Sequence, residues 1–181
     1  MRVVRMIGLL FASFLMVACS TNTTATTDAS SNATQAFRIT NRIANQIPER
    51  HLNLVNEARL FQGLPALTYS PELEQAALVH AQNIQVQQRA WHFGTDGSNP
   101  IERAQRAGFT GALVGENLSE TYENDTVTLQ AWLADPNSRS IILDPNARTL
   151  AIAWFQEPNA KIWWVQMIGQ EPQLIETASD F

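Results

Sequence analysis

Apolar residues recur along the chain at two spacings, which predict helices first and strands last. Apolar positions three and four residues apart indicate a helix over about 48–62 and another after Ser70. Two runs of β-branched and aromatic residues, 149–155 and 162–168, predict an antiparallel hairpin around the turn residues 157–160. Helices followed by strands in this order favour an α+β sandwich.

The helix after Ser70 has the clearest start signal in the chain. A hydroxyl at the N-cap precedes Pro71 and Glu72, which suit the first turn of a helix and the positive end of its dipole. His80 falls inside the apolar stripe of this helix, so we expect a buried, hydrogen-bonded core histidine rather than a ligand. The first helix is expected to bury the apolar residues Leu52, Val55, Ala58 and Leu60.

Three shorter helical segments are predicted between the long helix and the hairpin. Asn99 and Pro100 cap a helix that ends at Gly108, and another helix runs over about 125–134. A further turn is expected over 139–143. The intervening segment 91–118 is predicted to be rich in loops.

The N-terminal segment has the pattern of an export signal. Arg2 and Arg5 precede an apolar run, residues 6–18, which is too short to span a bilayer as a stable helix but suits a signal peptide. Residues 15–20 resemble the bacterial lipoprotein signal, in which small residues precede a lipidated cysteine. We therefore expect a signal peptide over 1–18 and acyl chains on Cys19. Ordinary signal cleavage nearby is the alternative.

The same resemblance implies a location. Ser20, directly after the cysteine, suggests the outer membrane of a two-membrane cell, with the protein held there through lipidated Cys19. The polar, Thr- and Asn-rich residues that follow bury little surface, so 19–46 is predicted to be a flexible tether. The folded domain is predicted over 47–171, with a C-terminal tail over 172–181.

The net charge and the cysteine content limit the possible partners and the possible covalent cross-links of the chain. The formal charge of the 181-residue chain is −5, and Lys161 is its single lysine. Such an acidic chain lacks the basic surface that nucleic-acid binding requires, so no nucleic-acid partner is expected. Cys19 is the single cysteine, so no intramolecular disulfide can form and the domain must fold on packing alone.

The order of motifs in the domain resembles that of a bacterial CAP domain, the superfamily of cysteine-rich secretory, antigen 5 and pathogenesis-related proteins. The matching segments lie between about residues 48 and 170, and they include 54–59, 63–67, 71–73, 80–81, 91–92, 96–98, 108–109, 115–118, 131–133, 142–145 and 164–166. The resemblance implies a three-layer α-β-α sandwich ending in the antiparallel hairpin.

The resemblance also implies a cleft with histidines and acids, which holds a divalent metal in some members. His92 and Glu116 match two of these positions, Asp135 stands in for the second acid, and Ser138 stands where a second histidine is common. Because one strong nitrogen donor is missing, we expect no tightly bound zinc and no cofactor. His92 and Glu116 are expected to form a buried hydrogen-bonded pair that fixes the loop.

Three functions follow as hypotheses. The first is a lipid-anchored envelope protein whose cleft binds an unknown envelope ligand or protein without catalysis. The second is a metal-assisted hydrolase of peptide or cell-wall material, based on His92, Glu116 and Asp135. The third is a binder of sterol-like or fatty ligands, with Trp163 or Trp164 lining the cleft. An enzyme is the less favoured class.

Overall fold

The computed structural model describes residues 36–171. Cys19 and the predicted signal peptide, together with the predicted tail over 172–181, lie outside the described residues. Within them, helices and strands follow in this order: α1 (Asn41–Ala44), α2 (Ile47–Phe61), β1 (Thr68–Tyr69), α3 (Pro71–Gln87), α4 (Pro100–Arg106), β2 (Leu113–Thr121), α5 (Asp125–Ala134), α6 (Pro136–Ile142), β3 (Thr149–Gln156) and β4 (Ile162–Gly169). None of the described helices is both long and apolar enough to cross a bilayer.

The four described strands form one sheet in the order β1-β3-β4-β2. β3 and β4 pair antiparallel around the predicted turn, which confirms the hairpin. β4 also pairs antiparallel with β2, whereas the two-residue β1 runs parallel to β3. The sequence predicts no strand over β2, most of which lies in the loop-rich segment 91–118. β2 forms a strand because the central strand β4 supplies its backbone partners, although its own sequence is too polar to signal one.

Helices cover both faces of the sheet, as the α-β-α sandwich predicts. On one face, Val55 of α2 and Trp132 of α5 pack with Trp164. On the other, Leu73 of α3 and Ala104 of α4 pack with Trp163. The two adjacent tryptophans therefore point to opposite faces, as successive strand residues must. Both are fully buried, so the expectation that one of them lines a cleft is wrong.

The predicted helix starts and the buried stripe of α3 are confirmed. The Ser70 hydroxyl accepts a hydrogen bond from Leu73 N, and Asn99 forms a reciprocal capping box with Glu102. α3 buries the side of the helix that its apolar spacing predicts, namely Leu73, Ala76, Ala77, His80, Ala81 and Ile84.

The buried side of α2 differs from the prediction. It consists of Ile47, His51, Val55 and Arg59, whereas Leu60 is 76 % exposed. Arg59 donates to the carbonyls of Pro65, Ile142, Asp144 and Ala147. A fully buried guanidinium is tolerated because backbone acceptors from distant loops satisfy it.

The folded domain begins earlier than the predicted boundary after residue 46. Phe37 N donates to the Tyr122 carbonyl at 3.2 Å. The Gln156 side-chain amide accepts from Ile39 N at 2.9 Å and donates to the Phe37 carbonyl at 2.8 Å. Phe37, Ile39 and Ile43 also pack against the apolar cluster that contains Trp164. Residues 37–44, assigned to the tether from composition, are thus part of the domain because their few apolar side chains find a partner surface.

Candidate functional site

β2 places Glu116 and Asn117 on opposite faces of the sheet, because successive side chains of a strand alternate. Their partners on β4 are Met167 and Gln166. Glu116 faces α3 and α4, whereas Asn117 faces α2 and α6. The two adjacent residues therefore contribute to two separate sets of contacts.

The Glu116 carboxylate is buried, with 1 % of the side chain exposed, and both of its oxygens have partners. Oε1 lies 2.9 Å from Nδ1 of His92 and 3.6 Å from Nε2 of His80. Oε2 accepts a hydrogen bond from Nη2 of Arg103 at 2.8 Å. The hydrogen bond from the charged guanidinium offsets the free-energy cost of burying the carboxylate.

Arg103 connects the loop before α4 to this carboxylate through hydrogen bonds. Its Nη1 donates to the carbonyls of His92 at 3.0 Å and Ser98 at 2.8 Å. Only 3 % of its side chain is exposed. Sequence reasoning missed Arg103, because an arginine in the polar segment 100–106 has the pattern of a solvated helix surface.

His92 contacts Glu116 as predicted, but it is not buried. Its side chain is 56 % exposed, and Nε2 makes no hydrogen bond within residues 36–171. Because Nδ1 is held by the carboxylate, the ring is oriented with Nε2 available to another molecule. In chemical terms this arrangement can present a proton acceptor to water or to a ligand.

His80 is a buried core histidine, as expected, and it also belongs to this site. Its Nε2 donates to the Trp91 carbonyl at 2.9 Å. Burial lowers the pKa of His80, and the nearby Glu116 carboxylate opposes that effect. The apolar stripe of α3 predicted the burial of His80 but not its approach to Glu116.

Asp135 and Ser138 take part in a different set of contacts. Asp135 is the exposed N-cap of α6 and accepts from Ser138 N at 2.8 Å, and this hydrogen bond holds the pKa of its carboxyl below the usual value. The Ser138 carbonyl accepts from Asn117 Nδ2 at 3.3 Å. In the described part of the chain, neither residue makes a hydrogen bond or ion pair with His92 or Glu116.

A second buried network lies on the Asn117 face. Asn117 Nδ2 donates to Gln166 Oε1 at 2.9 Å, and Gln166 Nε2 donates to Nε2 of His51 at 2.8 Å. The His51 ring meets Trp132 edge to face, with 6.1 Å between ring centroids. Burial lowers the pKa of His51 to about 4, so the ring is neutral near pH 7. Neither His51 nor Gln166 was identified from sequence.

The residues around Glu116 do not fit the divalent metal that the family resemblance suggests. A zinc site requires three or four protein donors with available lone pairs. Here the guanidinium of Arg103 occupies one carboxylate oxygen, and its positive charge opposes a cation at the other. Nε2 of His80, which points a proton at the Trp91 carbonyl, has no lone pair to offer. Within residues 36–171, no three His, Cys, Asp or Glu side chains are placed to share a metal ion.

Fold and site together define a CAP-type domain, and the comparison with family models establishes the class. The model of the cysteine-rich secretory protein (CAP) family matches residues 52–168, so this chain belongs to that family. The family resemblance drawn from the motifs is thereby confirmed. A search of curated protein sequences found no match.

Several bacterial proteins of known structure share the fold at low sequence identity. An outer surface protein of Borrelia burgdorferi has a TM-score of 0.62 and 17 % identity, over 68 % of this chain and 91 % of that one. An extracellular protein of Bacillus anthracis with an SCP domain has a TM-score of 0.66 and 19 % identity, over 75 % of this chain but 45 % of that one. The CAP domain of enterococcal PrgA has a TM-score of 0.56 and 15 % identity, over 80 % and 68 %.

Proposed function

We propose that this chain is a lipid-anchored protein of the cell envelope whose CAP domain binds a ligand without catalysing a reaction. The export pattern before Cys19 supports the anchor. The similar folds described as outer-surface and extracellular proteins agree with an envelope location.

The proposal of a non-catalytic role rests on the hydrogen-bond partners of the Glu116 carboxylate. A catalytic acid, base or metal ligand needs an oxygen that can reach the reacting group. In Glu116 both oxygens are engaged, and Arg103 keeps the carboxylate paired inside the protein. The acid that matches a cleft position of the family therefore acts as a structural anchor for the loop that contains His92.

Zinc titration of the purified full-length protein by calorimetry tests this proposal against a metal-assisted hydrolase. We expect no submicromolar binding, and no difference between the parent and His92→Ala. Glu120→Gln, which removes a partly exposed carboxylate from the same strand, is the matched control for surface binding. Submicromolar binding that disappears in His92→Ala alone would overturn the proposal.

One observation favours a second candidate, a hydrolase. The Glu116 carboxylate orients His92 with Nε2 exposed, which is the arrangement of a general base and its orienting acid. Incubation with peptide and cell-wall substrates, comparing the parent with His92→Gln, tests this candidate. Turnover lost in the variant would establish the hydrolase. The third hypothesis, a sterol-like or fatty ligand, has no comparable support because Trp163 and Trp164 are fully buried.

The anchor requires its own test. Intact-mass measurement of the native membrane-extracted protein should give an N-terminus at Cys19 with added acyl mass. Cys19→Ser should abolish the added mass and release the protein from the membrane fraction. A native protein that begins at another residue without acyl mass would refute lipid anchoring.

A further inference from the structure

The outer side of β3 has no neighbouring strand over most of its length. Within the described residues, β1 pairs with β3 only over the first two residues of that strand. Ser70 N donates to the Leu150 carbonyl at 3.0 Å, and the Tyr69 hydroxyl donates to the Ile152 carbonyl at 3.1 Å. Beyond that point the outer side of β3 has no described backbone partner, and we call residues 152–156 the free edge.

The backbone groups of the free edge that face away from β4 are those of the even-numbered residues. Leu150 and Ile152 direct their carbonyls outward, and backbone N–H and C=O groups alternate sides along a strand. The N–H and C=O of Trp154 and of Gln156 therefore also face outward, and in the described part of the chain they make no hydrogen bond. The Gln156 side chain contacts the segment before α1, but the backbone groups of this residue stay unused.

We propose that the free edge binds an extended segment of another protein chain, which adds a further strand beside β3. The outward groups of alternate residues recur about 6.6 Å apart, and another backbone in the β conformation matches donors and acceptors at this spacing. The free edge lies at the opposite side of the sheet from β2, which carries Glu116. The site is thus distinct from the cleft to which the proposed function refers.

β3 lacks the features that keep free sheet edges from pairing. Natural edge strands carry charged residues, prolines or bulges that block the approach of another strand. The residues of β3 include no charged residue and no proline, and its pairing with β4 runs without a bulge. Residues 154–156 are partly exposed, whereas every residue of the central strand β4 is buried. The free edge is therefore accessible and able to pair.

A recess beside the free edge provides a position for a side chain of the partner. Ala153 faces α3, and its small side chain leaves a cavity of about 340 Å³ between this helix and the strand. Such a volume falls within the range of small ligand sites. The recess is lined by Pro71, Glu74, Gln75, Leu78, Ala153 and Trp154. Because an added strand directs alternate side chains to the same face, an apolar side chain can enter the recess beside Leu78.

The charge of the recess favours a basic segment over a second copy of this chain. Glu74 is the charged residue of its lining and forms no ion pair within the described residues. A symmetric contact between two copies would bring this acid and the neighbouring Glu72 against the same acids of the other copy. Residues 20–35 and 172–181 contain neither lysine nor arginine, so they do not supply a basic segment either. The expected partner is an extended segment with alternating apolar residues and a flanking lysine or arginine.

Amide hydrogen exchange of the full-length protein in neutral-detergent micelles tests this proposal. The probe is the peptide acetyl-Lys-Thr-Leu-Thr-Val-Thr-Lys-amide. In the free protein, the Trp154 amide should exchange faster than the Ala153 amide, which faces β4. With the peptide at about ten times its Kd, exchange at Trp154 should slow by about tenfold, whereas exchange at Ala153 should not change.

Control peptides separate backbone pairing from contact through side chains alone. Methylation of alternate backbone nitrogens gives two versions of the probe. At least one version should give no protection, because the nitrogens that face β3 can no longer donate. Replacing both lysines of the probe by glutamate keeps the backbone donors and should weaken binding at least about tenfold through repulsion by Glu74.

Two substitutions on α3 locate the site. Leu78→Gln removes the apolar contact in the recess and should weaken binding about tenfold. Val86→Gln, at a more exposed position of the same helix outside the recess, is the matched control and should leave binding unchanged. Both side chains are partly exposed, so both variants should fold as the parent does.

Four results with the probe would overturn the inference. They are no protection of Trp154 up to the solubility limit of the peptide, equal protection of Trp154 and Ala153, protection by both methylated peptides, and unchanged binding by Leu78→Gln. Protection that grows with protein concentration in the absence of peptide, together with a dimer in sedimentation, would assign the free edge to a second copy and refute the peptide partner. Each result leaves the proposed function standing, because zinc titration, turnover and intact mass do not involve β3.

Discussion

Arg103 donates from Nη2 to Oε2 of Glu116 at 2.8 Å, and both side chains are almost completely buried. This pair joins α4 to the edge strand β2, and through Nη1 of Arg103 it also holds the loop that contains His92. The histidine and acid that sequence identifies as a candidate site are thus positioned by a third residue.

Removing Arg103 should destabilise the domain strongly. Arg103→Met leaves the Glu116 carboxylate buried without its charged partner and should lower the free energy of unfolding by about 3–5 kcal/mol. Denaturant unfolding measures the change. Arg106→Gln is the matched control, because its ion pair with Asp96 is solvent-exposed and should contribute little to stability. Equal losses in the two variants would contradict the structural role of Arg103.

Acid should destabilise the domain through His51. Its pKa is about 4 in the folded protein and about 6.5 in the unfolded chain, so between these values the unfolded state binds more protons. The free energy of unfolding should therefore fall as pH decreases from about 6.5 to 4, by up to about 3 kcal/mol. Asp125 and Arg50, the charged groups near His51, act in opposite directions on its pKa.

Unfolding of the parent and of His51→Gln at several pH values measures this effect. The variant should be less stable near pH 7 but should lose less stability on acidification. The pH dependence of stability that remains in the variant is expected to come from His80, because burial lowers the pKa of that residue as well. An identical pH dependence in both proteins would show that His51 is not the group responsible.

Arg59 should be one of the most important stabilising side chains. Arg59→Met leaves the carbonyls of four residues, including Ile142 and Ala147, without this hydrogen-bond donor. It should lower the free energy of unfolding by about 3 kcal/mol or more. Arg59→Lys should recover only part of that loss, because an ammonium group cannot reach acceptors arranged around a planar guanidinium. Thermal and denaturant unfolding would rank the stabilities of the parent and the two variants. Arg89→Met, at an exposed arginine beside Trp91, should change stability by less than about 1 kcal/mol.

The segment before α1 should contribute to stability. Phe37→Ala removes a ring that packs against the core and should lower the free energy of unfolding by at least about 1 kcal/mol. Phe61→Ala, which removes a ring that is 87 % exposed, is the control and should have little effect. A chain that begins at residue 36 should keep its melting temperature, and one that begins at residue 45 should not. Equal stability of these two chains would restore the tether boundary expected from composition.

The sequence alone determined the features that depend on neighbours along the chain. The start of α3 at Ser70 and its buried face follow from the cap and the apolar spacing, and the pairing of β3 with β4 follows from two apolar runs around one turn. The order of motifs indicated the CAP family before any contact was known. The family resemblance also correctly predicted that His92 and Glu116 are in contact.

Tertiary structure alone decided which polar residues are buried and which apolar residues are exposed. Arg59, His51 and Arg103 are buried because carbonyls, an amide and a carboxylate from other segments satisfy them, whereas Leu60 is exposed because no element within residues 36–171 covers it. β2 likewise becomes a strand only against β4. A polar group is stable inside a protein only with a partner, and when that partner comes from far along the chain, no local pattern can reveal it.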